Sequence, residues 1–386
     1  MPRVSVVLPV RNGQTYIKAA VKSILNQSFT DFELIVADDG STDQTPQLVS
    51  AFAAADRKVR FVSNPRKGLV ATLELARSIA RGEFIARMDA DDISLPTRLL
   101  AQVEFINKNP SVVAVGGQIQ IIDTFGCYIR AGYYPISPAE CKAYLDRGSP
   151  LCHPSVLMRA SAVEEAGGYR REFEGAEDYD LWFRLVKLGN LANLEDVVLK
   201  YRHHPESVTS SQPRKNAVAC ALALAANKTS VHDLPEYPTD SELEPWTLLE
   251  KQLPISIQLP ARQAYIRALV LNGGIARETS DDVIELLNSY VPSSKRNDSE
   301  FAFLISRTIY HLLAKRRWTI ATRVLAVFGG ASAQPLTQEL FRSTFRRMRN
   351  AERGKNKTVV QTVNQPHSPA LSDNTSSARK CIHNAS

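Results

Sequence analysis

Phe84-Ile85-Ala86-Arg87-Met88-Asp89-Ala90-Asp91-Asp92-Ile93 is a short apolar run that breaks into three carboxylates within four positions. The run reads as a strand. Side chains two apart on an extended segment point the same way, so Asp89 and Asp91 face one spot just past the strand end. Open α/β sheets bind ligands in the crevice at the carboxyl ends of their strands. Clustered carboxylates repel one another unless a cation lies between them. Hard oxygen ligands with water and phosphate suit Mg²⁺ or Mn²⁺. Pro96 fits the first turn of a helix with Leu99, Val103 and Ile106 on one face. The competing reading is an acidic surface turn that caps this helix, and the surrounding chain decides between them.

Upstream, strand and helix alternate. Val4–Leu8 is a β-branched run of the kind buried on both faces, closed by Pro9-Val10-Arg11-Asn12-Gly13. Ile17, Ala20, Val21 and Ile24 follow at helical spacing. Phe32–Ala37 is a second strand ending in Asp38-Asp39-Gly40-Ser41-Thr42-Asp43, where Thr42 or Asp43 can cap the next helix. Val59–Ser63 is a third strand, followed by Asn64 to Gly68 and a helix holding Leu69, Leu73 and Ala76. Four strand–helix alternations predict a parallel sheet with right-handed crossovers. Neither a Gly-x-Gly-x-x-Gly after the first strand nor a Gly-x-x-x-x-Gly-Lys-Ser/Thr is present, which disfavours a dinucleotide dehydrogenase and a P-loop NTPase. A nucleotidyltransferase would also need a Gly-rich loop there.

Downstream, residues 111–123 read as one or two strands joined near Gly116-Gly117, and 126–150 show no clear pattern. Ser155–Met158 is strand-like, and Ser161 with Glu164 has the spacing of a capping box. Glu177 and Asp178 stand at the N-terminal end of a helix carrying Leu181, Trp182 and Leu185. The helix dipole favours ionised carboxylates there. Val197–His204 is a last strand. We expect an α/β domain over 1–213, a helical domain over 214–350 and a disordered tail over 351–386.

Composition bounds the reading further. The chain has 386 residues, 44% hydrophobic and 23% charged, with net charge +7. These are ordinary values for a soluble protein. No apolar run is long enough to span a bilayer and the start lacks a signal-peptide pattern, so a cytoplasmic protein is expected. Five dispersed cysteines fit reduced thiols rather than a disulfide frame or a zinc site. Residues 301–355 hold eleven Lys and Arg against two Asp and Glu. That basic balance suits an anionic membrane surface touching residues 300–350, or simply a solvated helical face whose apolar side is core. Nothing calls for nucleic acid as a partner.

Seven short motifs stand in one order over residues 3–210: Val4-Ser5-Val6-Val7-Leu8-Pro9-Val10-Arg11-Asn12, Ile35-Val36-Ala37-Asp38-Asp39-Gly40-Ser41-Thr42-Asp43, Arg66-Lys67-Gly68, Met88-Asp89-Ala90-Asp91-Asp92, His153-Pro154-Ser155, Glu177-Asp178-Tyr179-Asp180-Leu181-Trp182 and Tyr201-Arg202-His203. In this the chain resembles the inverting glycosyltransferases of family 2, with the GT-A fold. The resemblance implies a Rossmann-like, mostly parallel sheet flanked by helices. It implies transfer of a sugar from a nucleotide-sugar, UDP-linked by preference, to a glycan or lipid-linked acceptor of a cell-surface polysaccharide. By resemblance, Pro9 and Asn12 line the nucleobase pocket, Asp39 binds the base edge with Asp38 nearby, and Asp89 reaches the ribose. Asp91 ligates Mn²⁺ or Mg²⁺, and Asp178 is the general base. Lys67 and Arg202, with His203 or His204, touch the leaving phosphates.

Asp92 is assigned to the second shell or the acceptor side, with His153, Glu177 and Trp182. Each of these has a plainer reading: Glu177 as a cap, Trp182 as core, His153 as structural. A non-catalytic nucleotide-sugar or glycan-binding module on the same fold is the rival function, and the intact Asp89, Asp91 and Asp178 count against it.

Overall fold

The computed structural model describes residues 1–207, 211–229, 246–290 and 299–328. The expected tail over 351–386 lies outside them. Two compact units divide the chain at Gly274 and Ile275.

Among the described residues, the first unit is built on a nine-stranded sheet. Its strands are β1 (Val4–Val10), β2 (Phe32–Asp38), β3 (Val59–Ser63), β4 (Phe84–Arg87), β5 (Ile93–Ser94), β6 (Val112–Ile122), β7 (Tyr128–Gly132), β8 (Leu157–Arg159) and β9 (Asn190–Arg202). They run in the order β3-β2-β1-β4-β8-β6-β9-β5, with β7 paired on β6. The strands β3-β2-β1-β4 are parallel. Beyond them β8 is antiparallel to both neighbours, and β6 and β9 are parallel to each other.

The parallel register places the site. Val10 lies opposite Asp38, Asp38 opposite Ser63, and Val7 opposite Arg87. The loops that leave these four strands therefore meet at one edge of the sheet. Every residue of β1 is buried, as the β-branched run requires. Val4, Val6, Leu8 and Val10 join the core with α1 (Ile17–Leu25) and α4 (Arg98–Lys108). Each such fully buried branched side chain contributes about 1.5–3 kcal/mol. Helix α3 (Leu69–Ser78) packs on β1 and β2 through residues outside that cluster. The remaining helices of this unit are α2 (Thr45–Ala55), α5 (Pro138–Tyr144), α6 (Ala160–Glu165), α7 (Glu177–Leu185), α8 (Pro213–Lys228), α9 (Trp246–Gln252) and α10 (Ile255–Leu271). Helix α8 packs against α7 and α10.

Some local expectations change. Gly116 and Gly117 lie inside one continuous strand and do not join two. A Cβ on Gly116 would stand 2.2 Å from Asn193 Oδ1, so the glycine serves close approach. Ser161 and Glu164 form no capping box: α6 starts at Ala160, and Glu164 pairs with Arg77 instead. The unpatterned stretch holds β7 and α5, and α5 does carry a capping box between Ser137 and Glu140.

The second unit holds α11 (Ser280–Tyr290), α12 (Ser299–Ala314) and α13 (Trp318–Phe328). Ile320, Val324 and Phe328 of α13 are buried, Phe328 edge-on to Phe301 of α12. Those three side chains are therefore core, while Trp318 and Val327 of the same helix stay exposed; residues 329–350 lie outside the described set. No helix among the described residues is long and apolar enough to cross a membrane.

Asp180 of α7 shows what holds the helix that carries Asp178. It is fully buried and pairs with both Arg170 and Arg184, the latter at 2.7 Å. Asp180→Ala leaves two guanidinium groups without their acid, and Arg184 is 13% exposed. The expected loss is about 3 kcal/mol, the lower end for breaking a buried pair, because Arg170 can turn to water. A urea midpoint within experimental error of wild type would refute this.

Candidate active site

The first two loops at the strand ends are laced together. Asn12 adopts φ +51, a left-handed conformation that Asn tolerates. Its Oδ1 accepts from Thr42 N at 2.9 Å, and its own N donates to Ser41 Oγ at 2.8 Å. Asp43 Oδ1 accepts from Thr45 N at 2.9 Å and Oδ2 from Gln14 N at 3.0 Å. Asp43 thus ties the start of α2 to the first loop. Asp38 and Asp39 are both buried at the end of β2. Asp38 Oδ2 accepts from Ser41 N at 3.0 Å, while its buried Oδ1 has no partner. Asp39 Oδ1 accepts from Lys67 N at 2.7 Å and Gly68 N at 3.1 Å. Half of the Asp39 carboxylate thus holds the loop after β3, and the exposed Lys67 side chain rides on that loop.

The loop after β4 carries the acids. Carboxylate oxygens of Asp89, Asp91 and Asp92 lie within 4.8 Å of one another. Asp92 is buried; its Oδ1 accepts from Arg202 N at 2.7 Å and its Oδ2 is unpartnered. Burial, then Asp91 and Asp89, push the Asp92 carboxyl well above its ordinary range. Burial and Asp91 likewise raise Asp89, against the pull of Arg87. His204 Nε2 meets Asp91 Oδ2 at 2.8 Å, which raises the imidazole pKa. An orphaned buried oxygen beside two more carboxylates fits a divalent cation. The oxygen-rich set suits Mn²⁺ or Mg²⁺.

Arg202 is held by backbone carbonyls. Its guanidinium donates to Asp91 O at 2.8 Å, Asp123 O at 2.8 Å and Thr124 O at 3.2 Å, and it stacks over Tyr16. In this structure Arg202 braces the acidic loop against the turn after β6. These bonds use Nε and Nη1 of the guanidinium. Tyr16 also lies against His204, at 5.5 Å between ring centroids.

A second group of acids opens α7. Asp178 is partly exposed, and Glu177 is buried. Asp178 Oδ1 accepts from Tyr179 N at 2.7 Å. Glu177 Oε2 accepts from Gly175 N at 2.8 Å, and Oε1 lies 3.9 Å from His153 Nδ1. His153 Nε2 meets Tyr169 Oη at 2.8 Å, and burial keeps the imidazole neutral. Trp182 is fully buried edge-on to His153, with Nε1 donating to Ser149 Oγ at 2.8 Å. No sugar can stack on it. It props the histidine from behind.

Burial reverses the effect expected of the helix dipole. It raises Asp178, and with Asp178 it pushes Glu177 up to about 7. Desolvation outweighs a dipole term of about 1 kcal/mol. Folded Glu177 therefore binds a proton that the unfolded chain has lost above about 4.5. Its contribution to stability is full below that value and is lost as pH rises toward 7. Wild type should lose on the order of 2 kcal/mol across that window from this group. Glu177→Gln should flatten the slope in part, since Asp178 shifts in the same direction. Equal slopes in urea melts of the two proteins would reject this account.

Arg87 links the two acid groups. It is 4% exposed, sits 2.5 Å from Asp89, and its charge also acts on Tyr169, Glu177, His153 and Asp178. The local sequence pattern assigns Arg87 no role. His204 was named only for phosphate contact, and Tyr16 was missed. A cation at the end of a buried strand was the available signal for Arg87.

Comparison with known proteins agrees with this layout. The sequence model of glycosyl transferase family 2 matches residues 5–167, ending before α7. EpsE of Bacillus subtilis, whose name assigns it to the glycosyltransferases, is 36% identical over 211 residues, covering 53% of this chain and 75% of that one. The O-antigen biosynthesis glycosyltransferase WbnJ of Escherichia coli is 31% identical over 212 residues, 54% of this chain and 82% of its own. Residues 1–349 of S. aureus TarS, in a crystal structure with UDP-GlcNAc, share the fold at TM-score 0.50 and 18% identity, covering 82% of this chain and 92% of that one. With its GT-A sheet, its acidic loop after β4 and these relatives, the chain belongs to glycosyl transferase family 2 and is a glycosyltransferase.

Proposed function

We propose that this enzyme transfers a sugar, with inversion, from a UDP-sugar to a glycan or lipid-linked acceptor in cell-surface polysaccharide synthesis. The observation that carries the reading is the cluster of Asp89, Asp91 and Asp92 with its orphaned buried oxygen. The name of WbnJ supports a glycan acceptor.

In this reading Pro9, Asn12, Asp38 and Asp39 frame the nucleobase. The unpartnered Asp38 Oδ1 and the second oxygen of Asp39 are the acceptors left for it. Asp89 faces the ribose, and Lys67 reaches the phosphates. Asp91, with Asp92 and with His204 hydrogen-bonded beside it, would hold Mn²⁺ or Mg²⁺, which would supply positive charge against the leaving diphosphate. Asp178 accepts the proton of the attacking hydroxyl. A carboxylate suffices because that proton leaves late, and it must come within about 2.6–3.2 Å of the hydroxyl. One base opposite the leaving group gives inversion. Glu177 and His153 hold the wall behind Asp178, and Arg202 holds the acidic loop.

The test is a screen of the purified chain with Mn²⁺ against UDP-, GDP- and dTDP-sugars, reading nucleoside diphosphate release. Release from a UDP-sugar, dependent on the metal, is expected. Tight UDP binding with no turnover of any donor would instead mark a binding module.

A further inference from the structure

We infer that Arg87 is the side chain that binds the oxygen atoms of the transferred sugar. The inference rests on the function proposed above and adds a residue to it.

Arg87 is the last residue of β4, opposite Val7 of β1. Its neighbours Ala86 and Met88 point into the main core, so Arg87 takes the other face of the sheet. Asp89, two positions on, shares that face. The guanidinium is buried, yet it is poorly satisfied. Nη1 makes a charge contact with Asp89 Oδ2 at 2.5 Å but no aligned hydrogen bond, and Nε meets no acceptor. Arg98 is the useful contrast. Equally buried, it spends its guanidinium on Arg87 O at 2.7 Å, Val156 O at 3.2 Å and Gln102 Oε1 at 3.2 Å. A buried donor without an acceptor costs about 1–3 kcal/mol, more when charged. A guanidinium kept in that state is set for a ligand with acceptor oxygens.

Position identifies the ligand. On one side of Arg87 stands Asp89, in the cluster that faces the diphosphate. Its charge also acts on Tyr169, Glu177, His153 and Asp178, the group of side chains around the start of α7. The bond that breaks joins the anomeric carbon to the phosphate, and the bond that forms joins that carbon to the hydroxyl at Asp178. The sugar ring must therefore lie between the two acid groups, over Arg87. Its hydroxyls, or a uronic carboxylate, are the acceptors that the fork lacks. The rival role is a strut that only orients Asp89.

The two roles separate in binding. With Mn²⁺ present, calorimetry measures UDP, UDP-glucose, UDP-N-acetylglucosamine, UDP-galactose and UDP-glucuronate against wild type, Arg87→Met and Arg87→Lys. Wild type should bind one UDP-sugar more tightly than UDP. Arg87→Met should bind UDP within about twofold of wild type and lose roughly 10- to 100-fold for that sugar. Arg87→Lys should fall between them, because it keeps the charge and loses the fork. Equal weakening of UDP and UDP-sugar would assign the strut role and overturn the inference. So would unchanged UDP-sugar binding. Should Arg87→Met not fold, the Nε–H resonance of Arg87 in wild type decides: it must shift with the UDP-sugar and not with UDP. Failure of the proposed function reads differently, since wild type then binds neither UDP nor any UDP-sugar, and the inference falls with it.

Discussion

Asp178→Asn is expected to lower kcat by about 10²–10⁴-fold, the range for removing a general base, with UDP binding kept within about twofold. The amide keeps the size of the side chain and can still meet Tyr179 N, as Asp178 Oδ1 does at 2.7 Å. What it loses is the ability to take a proton. The substitution also removes one of two crowded acids, and Asp178 raises Glu177. The variant should therefore fold at least as well as wild type. A protein that is stable, binds UDP with Mn²⁺ and barely transfers is the expected result. Turnover within about fivefold of wild type would end the assignment of the base.

Asp91→Asn is expected to act earlier, on the donor. Asp91 is one of three acids whose oxygens lie within 4.8 Å, and His204 is hydrogen-bonded to it at 2.8 Å. Removing its charge weakens the site as a cation binder. A lost metal contribution of several kcal/mol corresponds to roughly 10³-fold or more in transfer. Thermal melts give the sharper readout. Mn²⁺ with UDP should raise the Tm of wild type and leave that of Asp91→Asn unmoved. The variant without ligands should melt no lower than wild type, because one repelling carboxylate is gone. A full Mn²⁺-dependent Tm rise in the variant would show that Asp91 holds no cation.

The two variants differ in what they read. Loss of UDP binding in Asp91→Asn with retention in Asp178→Asn separates the donor half of the site from the acceptor half. Glu177→Gln adds a third readout, since its effect lies in the pH dependence of stability rather than in donor affinity.

The acidic loop was legible because a strand ending in Asp89, Asp91 and Asp92 has a short period and a strong chemical signature. The roles of its neighbours were harder to read. Arg202 looked like a phosphate ligand from its type and its place at a strand end. Its actual acceptors, Asp91 O, Asp123 O and Thr124 O, are backbone groups about 80 to 110 positions away, which no local pattern announces. Trp182 had helical spacing and proved to be core, the outcome that spacing favours. At Glu177 a helix start is visible in sequence and the depth of burial around it, which raises its pKa, is not. Gly116 and Gly117 left one strand or two open, and they let a single β6 pass close to Asn193 and Val198 of β9.

The sequence by itself determined the alternation of strands and helices, the carboxylates at the ends of β2 and β4, and the family. Apolar periodicity and a few adjacent side chains encode these, and both survive in any surroundings. Only the tertiary structure decided which partners those side chains meet: His204 on Asp91, Lys67 and Gly68 amides on Asp39, Arg202 on the backbone, and Arg87 on Asp89. Such contacts depend on strand order and on the rotamers that packing allows, and both are set by contacts between residues far apart in the chain.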